Sequence, residues 1–83
     1  MRIHVKLFAI LRERAGVSEV QLDLPPSATV KVAAEALIAR YPALGDVAKS
    51  TAYAVNCDYA PATAVLADGD ELALIPPVSG GRS

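Results

Sequence analysis

Along residues 2–9 apolar and polar side chains alternate: Ile3, Val5, Leu7 and Ala9 share one face, and Arg2, His4, Lys6 and Phe8 the other. A period of two predicts a half-buried strand over 2–9. Leu11-Arg12-Glu13-Arg14-Ala15 replaces the alternation with helix formers, and Gly16 suits the left-handed position that closes a short helix. Alternation returns where Val20, Leu22 and Leu24 face Glu19, Gln21 and Asp23, which predicts a second strand in a hairpin with the first. Pro25-Pro26-Ser27 ends that strand. Thr29 is placed to cap a helix in which Val30, Ala33, Leu37 and Tyr41 recur at helical spacing until Pro42 stops it. Residues 43–50 read as irregular, with room for a short helical turn. Further strands are predicted over 52–56, 63–66 and 71–75, separated by turns at Asn56-Cys57-Asp58 and Asp68-Gly69-Asp70. Pro61 assigns the 63–66 strand to a sheet edge, since proline cannot donate to a ladder.

A helix inserted between an N-terminal hairpin and later strands packs across one face of a mixed sheet of four to five strands. The first and last strands then pair in parallel at its centre. This is an α+β arrangement of the β-grasp kind, expected over residues 1–75. Residues 76–83, Pro76-Pro77-Val78-Ser79-Gly80-Gly81-Arg82-Ser83, read as an extended tail. Two glycines near a terminus add nothing to a core and lose much backbone entropy on ordering. Their use is geometric, because a Gly-Gly strand is thin enough for a narrow slot in another protein.

Composition narrows the function classes. With 83 residues there is room for one small core, and 16 of the residues counted in the 53% hydrophobic fraction are alanines. A formal charge of −1 gives no electrostatic footprint for nucleic acid. The charge is uneven, with Arg2, Lys6, Arg12 and Arg14 near the start and Asp58, Asp68, Asp70 and Glu71 later. Elements that lie side by side and attract account for this asymmetry. The single cysteine, Cys57, excludes an internal disulfide and a multi-cysteine metal site. No apolar run approaches membrane-spanning length, and the expected location is cytoplasmic.

Few side chains invite a chemical role. Cys57 sits in a predicted turn beside Asp58, a neighbour that disfavours a thiolate. His4 stands without the partners a metal or a catalytic relay needs. Asp68, Asp70 and Glu71 read as an acidic turn, since calcium loops need more ligands at set spacing. Phe8 differs, because it is an aromatic on the polar face of the first strand. If Leu72 and Leu74 face the helix, Phe8, Ala73, Ile75 and Pro77 form an apolar patch at the root of the tail, as a partner surface requires. Tyr59 extends that patch, and Arg12 is either a salt link to a partner or a solvated charge.

The segments 5–16, 29–42 and Val55-Asn56, with Ala67-Asp68-Gly69-Asp70-Glu71 and Pro76-Pro77-Val78-Ser79-Gly80-Gly81, resemble MoaD. That family is the small, ubiquitin-like sulfur-carrier subunit of molybdopterin synthase. The resemblance implies that an E1-like adenylating enzyme of MoeB type uses ATP to activate a terminal glycine, here Gly81. A sulfur donor then converts the adenylate to a thiocarboxylate. It further implies that Pro77, Val78, Ser79 and Gly80 thread into a MoaE-type large subunit, where cyclic pyranopterin monophosphate takes the sulfur. No metal and no permanently bound cofactor is implied. MoaD ends at its second glycine, whereas Arg82 and Ser83 follow here. Either a processing protease removes them, or they are an expression scar, or the chain is inactive as a carrier. The competing expectations are a carrier serving thiamine or cysteine biosynthesis, and a ubiquitin-like interaction module with a blocked tail.

Overall fold

The computed structural model describes residues 1–48 and 50–76. Chain order is β1 (Arg2–Leu7), α1 (Ala9–Ala15), β2 (Glu19–Asp23), α2 (Val30–Arg40), a 3-10 turn (Pro42–Leu44), α3 (Gly45–Ala48), β3 (Ala52–Val55), β4 (Asp58–Ala60) and β5 (Glu71–Ile75). The five strands form one mixed sheet in the order β2-β1-β5-β3-β4. Only the central pair, β1 with β5, is parallel, with Val5 opposite Leu72 and Leu7 opposite Leu74. The other ladders are antiparallel. This is the expected β-grasp architecture, with α2 as its main helix.

The core forms because period two and period 3.6 meet on one side of the sheet. Ile3, Val5, Leu7, Val20, Leu22, Leu72 and Leu74 point inward, and α2 closes over them with Val30, Ala33 and Leu37. Leu11 of α1 and Leu44 of the 3-10 turn complete the cluster. Thr29 caps α2 as expected, its Oγ1 accepting the Val32 N–H at 3.4 Å.

Two element boundaries differ from the sequence reading. The first strand stops at Leu7, and Ala9 opens α1 with φ 50° and an exposed side chain. The chain turns there so that Leu11 supplies the next inward anchor. The strand after β3 is 58–60, not 63–66. Asn56 and Cys57, at φ 50° and 73°, form a two-residue turn that reverses the chain at once and pairs Val55 with Asp58. Residues 63–66 make a single bridge, Thr29 with Val65. Their neighbourhood serves α2 instead: Ala64 O accepts the Val30 N–H and Ala62 O accepts the Lys31 N–H, both at 2.9 Å. Helix N-termini leave such donors unpaired, and that need outweighs the strand propensity of Thr63 and Val65.

Cys57 occupies the turn position at which glycine costs least. A left-handed L-residue costs about 1–2 kcal/mol, and glycine's extra entropy returns about 0.5–1 of that. Cys57→Gly is therefore expected to stabilise the fold by roughly 0.5–1 kcal/mol, read as a rise in Tm of a few degrees. A fall in Tm would show that the thiol makes a contact the turn depends on.

Candidate functional site

One face of the sheet is covered by α2; among the described residues no helix covers the other. The ladder registers place side chains in rows across this open face. One row runs Glu19, Lys6, Ala73, Ala54, Tyr59. A second contains Gln21, His4 and Glu71, and Ile75 stands beside Ala52 at the far end. Phe8 keeps extended geometry, φ −126° and ψ 154°, so it continues the alternation of His4 and Lys6 onto the same face. One step beyond the pairing of Leu7 with Leu74, it lies next to Ile75.

Small alanines at 52, 54 and 73 thus make a low floor between larger side chains. Phe8 is 45% exposed and Tyr59 78% exposed, while Ile75 is half-buried. Ala54 is almost wholly buried, and Lys6, Glu19 and Glu71 border the apolar stretch on its β1–β2 side. Apolar surface with aromatic rims inside a charged border is the composition of a partner-binding surface. The alanine floor escaped the sequence reading, because Ala52 and Ala54 join the patch only through their register with β5. Alternation along 52–56 was the available signal, but alternation does not say which face is inward.

The remaining candidates are spread out. Arg12 lies exposed on α1, beside an open groove that Glu13, Gly16, Val17, Ser18 and Glu19 also line. No ion pair for Arg12 appears among the described residues. The groove is too open to enclose a small ligand as binding sites do. His4 is half-buried on the open face, and Cys57 is exposed in its turn. No group of three or more His, Cys, Asp or Glu could hold a metal among the described residues. No helix among them is long and apolar enough to cross a membrane. Pro77, Val78, Ser79, Gly80 and Gly81 lie outside the described residues.

The acidic segment is engaged in structure. Asp70 Oδ2 accepts the Ala67 N–H at 2.8 Å, and its Oδ1 accepts Asn56 Nδ2 at 3.0 Å. Asp68 Oδ1 accepts the Arg2 N–H at 2.7 Å. Asn56 also brackets Glu71, its Oδ1 accepting the Glu71 N–H at 3.1 Å and its own N–H donating to Glu71 O at 2.8 Å. Lys6 Nζ lies 3.4 Å from Glu71 Oε1, so the charge asymmetry of the sequence is partly spent across the central strands. Arg2 turns its guanidinium to Asp23 instead, at 3.2 Å.

The family model described as the ThiS family matches residues 5–81. The chain belongs to the ThiS family. A molybdopterin synthase sulfur carrier subunit from Chlamydomonas reinhardtii is 42% identical over 83 residues, covering 98% of this chain and all of the relative. The Arabidopsis thaliana protein of the same name is 37% identical over 81 residues, covering 98% of this chain and 84% of its own length. The crystal structure of small archaeal modifier protein 1 from Haloferax volcanii superposes with a TM-score of 0.89 at 39% identity, covering 98% of this chain and 100% of that one. The molybdopterin synthase carriers named by the sequence resemblance are thus among this chain's relatives, and the ubiquitin-like β-grasp fold is shared.

Asn56→Asp tests the structural account of the acidic segment. It exchanges the donor on Asp70 for a second carboxylate about 3 Å away, which like-charge repulsion penalises. At neutral pH the variant is expected to be less stable than the parent. Repulsion makes the folded pair of the variant bind a proton more tightly than the unfolded chain does. A shared proton therefore restores a donor as pH falls through the raised value, and the deficit is smallest at or below about pH 4, the ordinary aspartate value. Urea titrations at pH 7 and pH 4 check this, and a deficit independent of pH would remove the Asn56–Asp70 contact from the account.

Proposed function

We propose that this chain is a sulfur carrier of molybdenum cofactor biosynthesis, acting through the carboxylate of Gly81 once Arg82 and Ser83 are gone. The observation that carries this reading is full-length similarity to molybdopterin synthase sulfur carrier subunits, within a family match that runs to Gly81. The chemistry follows from the group available. A carboxylate oxygen attacks the α-phosphorus of ATP in an E1-like enzyme, and pyrophosphate leaves. Hydrosulfide-level sulfur from the sulfur source then attacks the acyl carbon and AMP leaves, giving a thiocarboxylate. Its soft sulfur attacks cyclic pyranopterin monophosphate held by a MoaE-type large subunit and displaces an oxygen substituent. Water then cleaves the acyl–sulfur bond, leaving sulfur on the pterin and restoring the Gly81 carboxylate.

The open sheet face supplies the docking half of this reading. Gly81 is six residues beyond Ile75, so it lies within about 20 Å of the root of β5 even for a fully extended chain. A partner seated on Phe8, Ala73, Ile75 and Tyr59 therefore receives the terminus in its own active site. Catalytic side chains come from the partners, consistent with the engagement of Asp68, Asp70 and Glu71 in turns and strand pairing.

A second reading is favoured by the likeness to a small archaeal modifier protein. The same activated Gly81 would then be passed to an amine of another protein. Intact mass separates the two. The chain ending at Gly81, incubated with ATP, an E1-like enzyme and a sulfur source, is expected to gain about 16 Da as oxygen is replaced by sulfur. It should lose that gain when the large subunit and the pterin are added. Stable conjugates of higher mass with no pterin product would support the modifier, and a chain that never gains sulfur overturns both readings. Removing Gly81 from the trimmed chain is expected to abolish transfer while leaving Tm unchanged.

Phe8→Ala is expected to weaken binding to the large subunit by about 1–3 kcal/mol. Phe8 is exposed and outside the core cluster, so the fold should be retained. Titration calorimetry reads the loss, and unchanged affinity would take the open face out of the site.

A further inference from the structure

The backbone between β1 and α1 departs from what stability alone favours. Among the described residues, four that are not glycine adopt positive φ: Ala9, Ser27, Asn56 and Cys57. Three have turn explanations. Asn56 and Cys57 form the β3–β4 hairpin turn. Ser27 is the third residue of a turn closed by the Ala28 N–H donating to Pro25 O at 3.2 Å, a position that type II turns require to be left-handed. Ala9, at φ 50°, is different, because it is the first residue of α1 and carries a Cβ with no turn chemistry in its favour. Glycine fits that conformation at least cost. The residue before it is equally anomalous. Phe8 holds the N-cap position, where Ser, Thr, Asn or Asp would satisfy a free N–H, and it makes no side-chain cap bond.

Both anomalies have one consequence. Leu7 and Leu11, each almost fully buried, pin the chain to the core on either side. Phe8 O accepts the Leu11 N–H at 3.0 Å and the Arg12 N–H at 3.5 Å, so the helix holds the Phe8 peptide from its far side. A left-handed Ala9 completes the reversal from strand to helix in one residue. Phe8 therefore keeps strand geometry to the end of β1, and its ring follows His4 and Lys6 onto the open face. An extended cap followed by a right-handed residue opens α2 at Thr29 and Val30. A left-handed Ala9 gives the chain a different exit direction, and with Leu7 and Leu11 both anchored in the core a change of backbone at residue 9 has to be absorbed at Phe8 or its immediate neighbours.

We propose that Ala9 is a positioning residue whose left-handed backbone holds the Phe8 ring in its docking orientation; this rests on the reading of the open face as the large-subunit surface. A β-branched side chain is a genuine outlier at positive φ, so Ala9→Val should displace Phe8, whereas Ala9→Gly should not.

The test is a double-mutant cycle on the trimmed full chain, with affinity for the MoaE-type large subunit measured by calorimetry. Alone, Ala9→Val is expected to weaken binding about tenfold, and together with Phe8→Ala to add less than about twofold. Ala9→Gly should hold affinity within about twofold of the parent, as a change that preserves the backbone geometry. An equal loss from Ala9→Val in both backgrounds, or no loss in either, overturns the proposal, since a general loss of structure acts whether or not the ring is present. Should Ala9→Val fail to fold, Ala9→Thr takes its place in the cycle. The aromatic proton shifts of Phe8 in the free protein give a readout independent of the partner, and they should move in the valine variant and stay in the glycine variant. If Phe8→Ala does not weaken binding yet those shifts behave as stated, the docking reading has failed and the positioning has not. Shifts that fail to move refute the positioning itself.

Discussion

The parallel pairing of β1 with β5 is the constraint on which the rest of the molecule depends. Parallel strands cannot be joined by a tight turn, so a long crossover must run between them, and here it contains α2, α3 and the β3–β4 hairpin. Placing the first and last strands side by side inside the sheet lets both flanks be built by antiparallel neighbours, β2 on β1 and β3 with its edge partner β4 on β5. It also sets the register that brings Val5 against Leu72 and Leu7 against Leu74, side chains that α2 then covers. At the rim of this pair the Asp68–Asp70 turn is tied to Arg2 by backbone and side-chain bonds, and Asn56 fastens the hairpin to the start of β5. The described residues supply a single helical layer, and no helix among them covers the second face of the sheet.

Under the proposed function, that economy of layers serves a carrier. A two-layer domain with one open sheet face has a partner surface without building a loop for it. The central strand that defines the core ends at Ile75 beside that surface, so in the proposed reading docking and presentation of the terminus are coupled through β5. The functional reading places no demand on side-chain chemistry within the described residues, and their polar groups are spent accordingly. Asp70 and Asn56 satisfy backbone donors, Lys6 balances Glu71, and Arg40 Nη1 donates to Gln21 O, 3.2 Å away, on the edge strand β2. That last bond occupies a carbonyl on an edge strand that would otherwise invite pairing with another chain.

Most of the fold was legible because period and punctuation agreed. The alternation of β1, β2 and β5, the cap at Thr29 and the stop at Pro42 each pointed to one element, and each element formed within a residue or two of its expected bounds. The failures share a cause. Thr63 and Val65 carried strand propensity, but the N-terminal donors of α2 lay close by in space and took that stretch's carbonyls, a demand invisible to a local window. The two-residue turn at Asn56-Cys57 was missed as a hairpin because cysteine stands where glycine is the usual signal. At the open face, Phe8 and Ile75 were legible because they broke or continued an alternation. Ala52 and Ala54 were not, since alanine is compatible with either face and only the register with β5 assigns it.

The residues that break local rules divide by what surrounds them. Ser27 and Asn56 adopt left-handed backbone where a tight turn requires it, and asparagine tolerates that region better than most residues. Phe8 and Ala9 have no such excuse: one fills a cap position with an aromatic ring and the other bends a helix start without glycine. Natural sequences are locally consistent except where function opposes it, and strain is most informative when a cheaper residue was available at the same position. Serine at position 8 and glycine at position 9 were both available without disturbing Leu7 or Leu11. The cost is therefore concentrated on the open face, where an exposed ring stands beside the root of the strand that leads to Gly81. A purely structural account of the β1–α1 junction leaves both choices unexplained, whereas a surface that must present an aromatic anchor to a partner requires the ring and benefits from a rigid joint behind it.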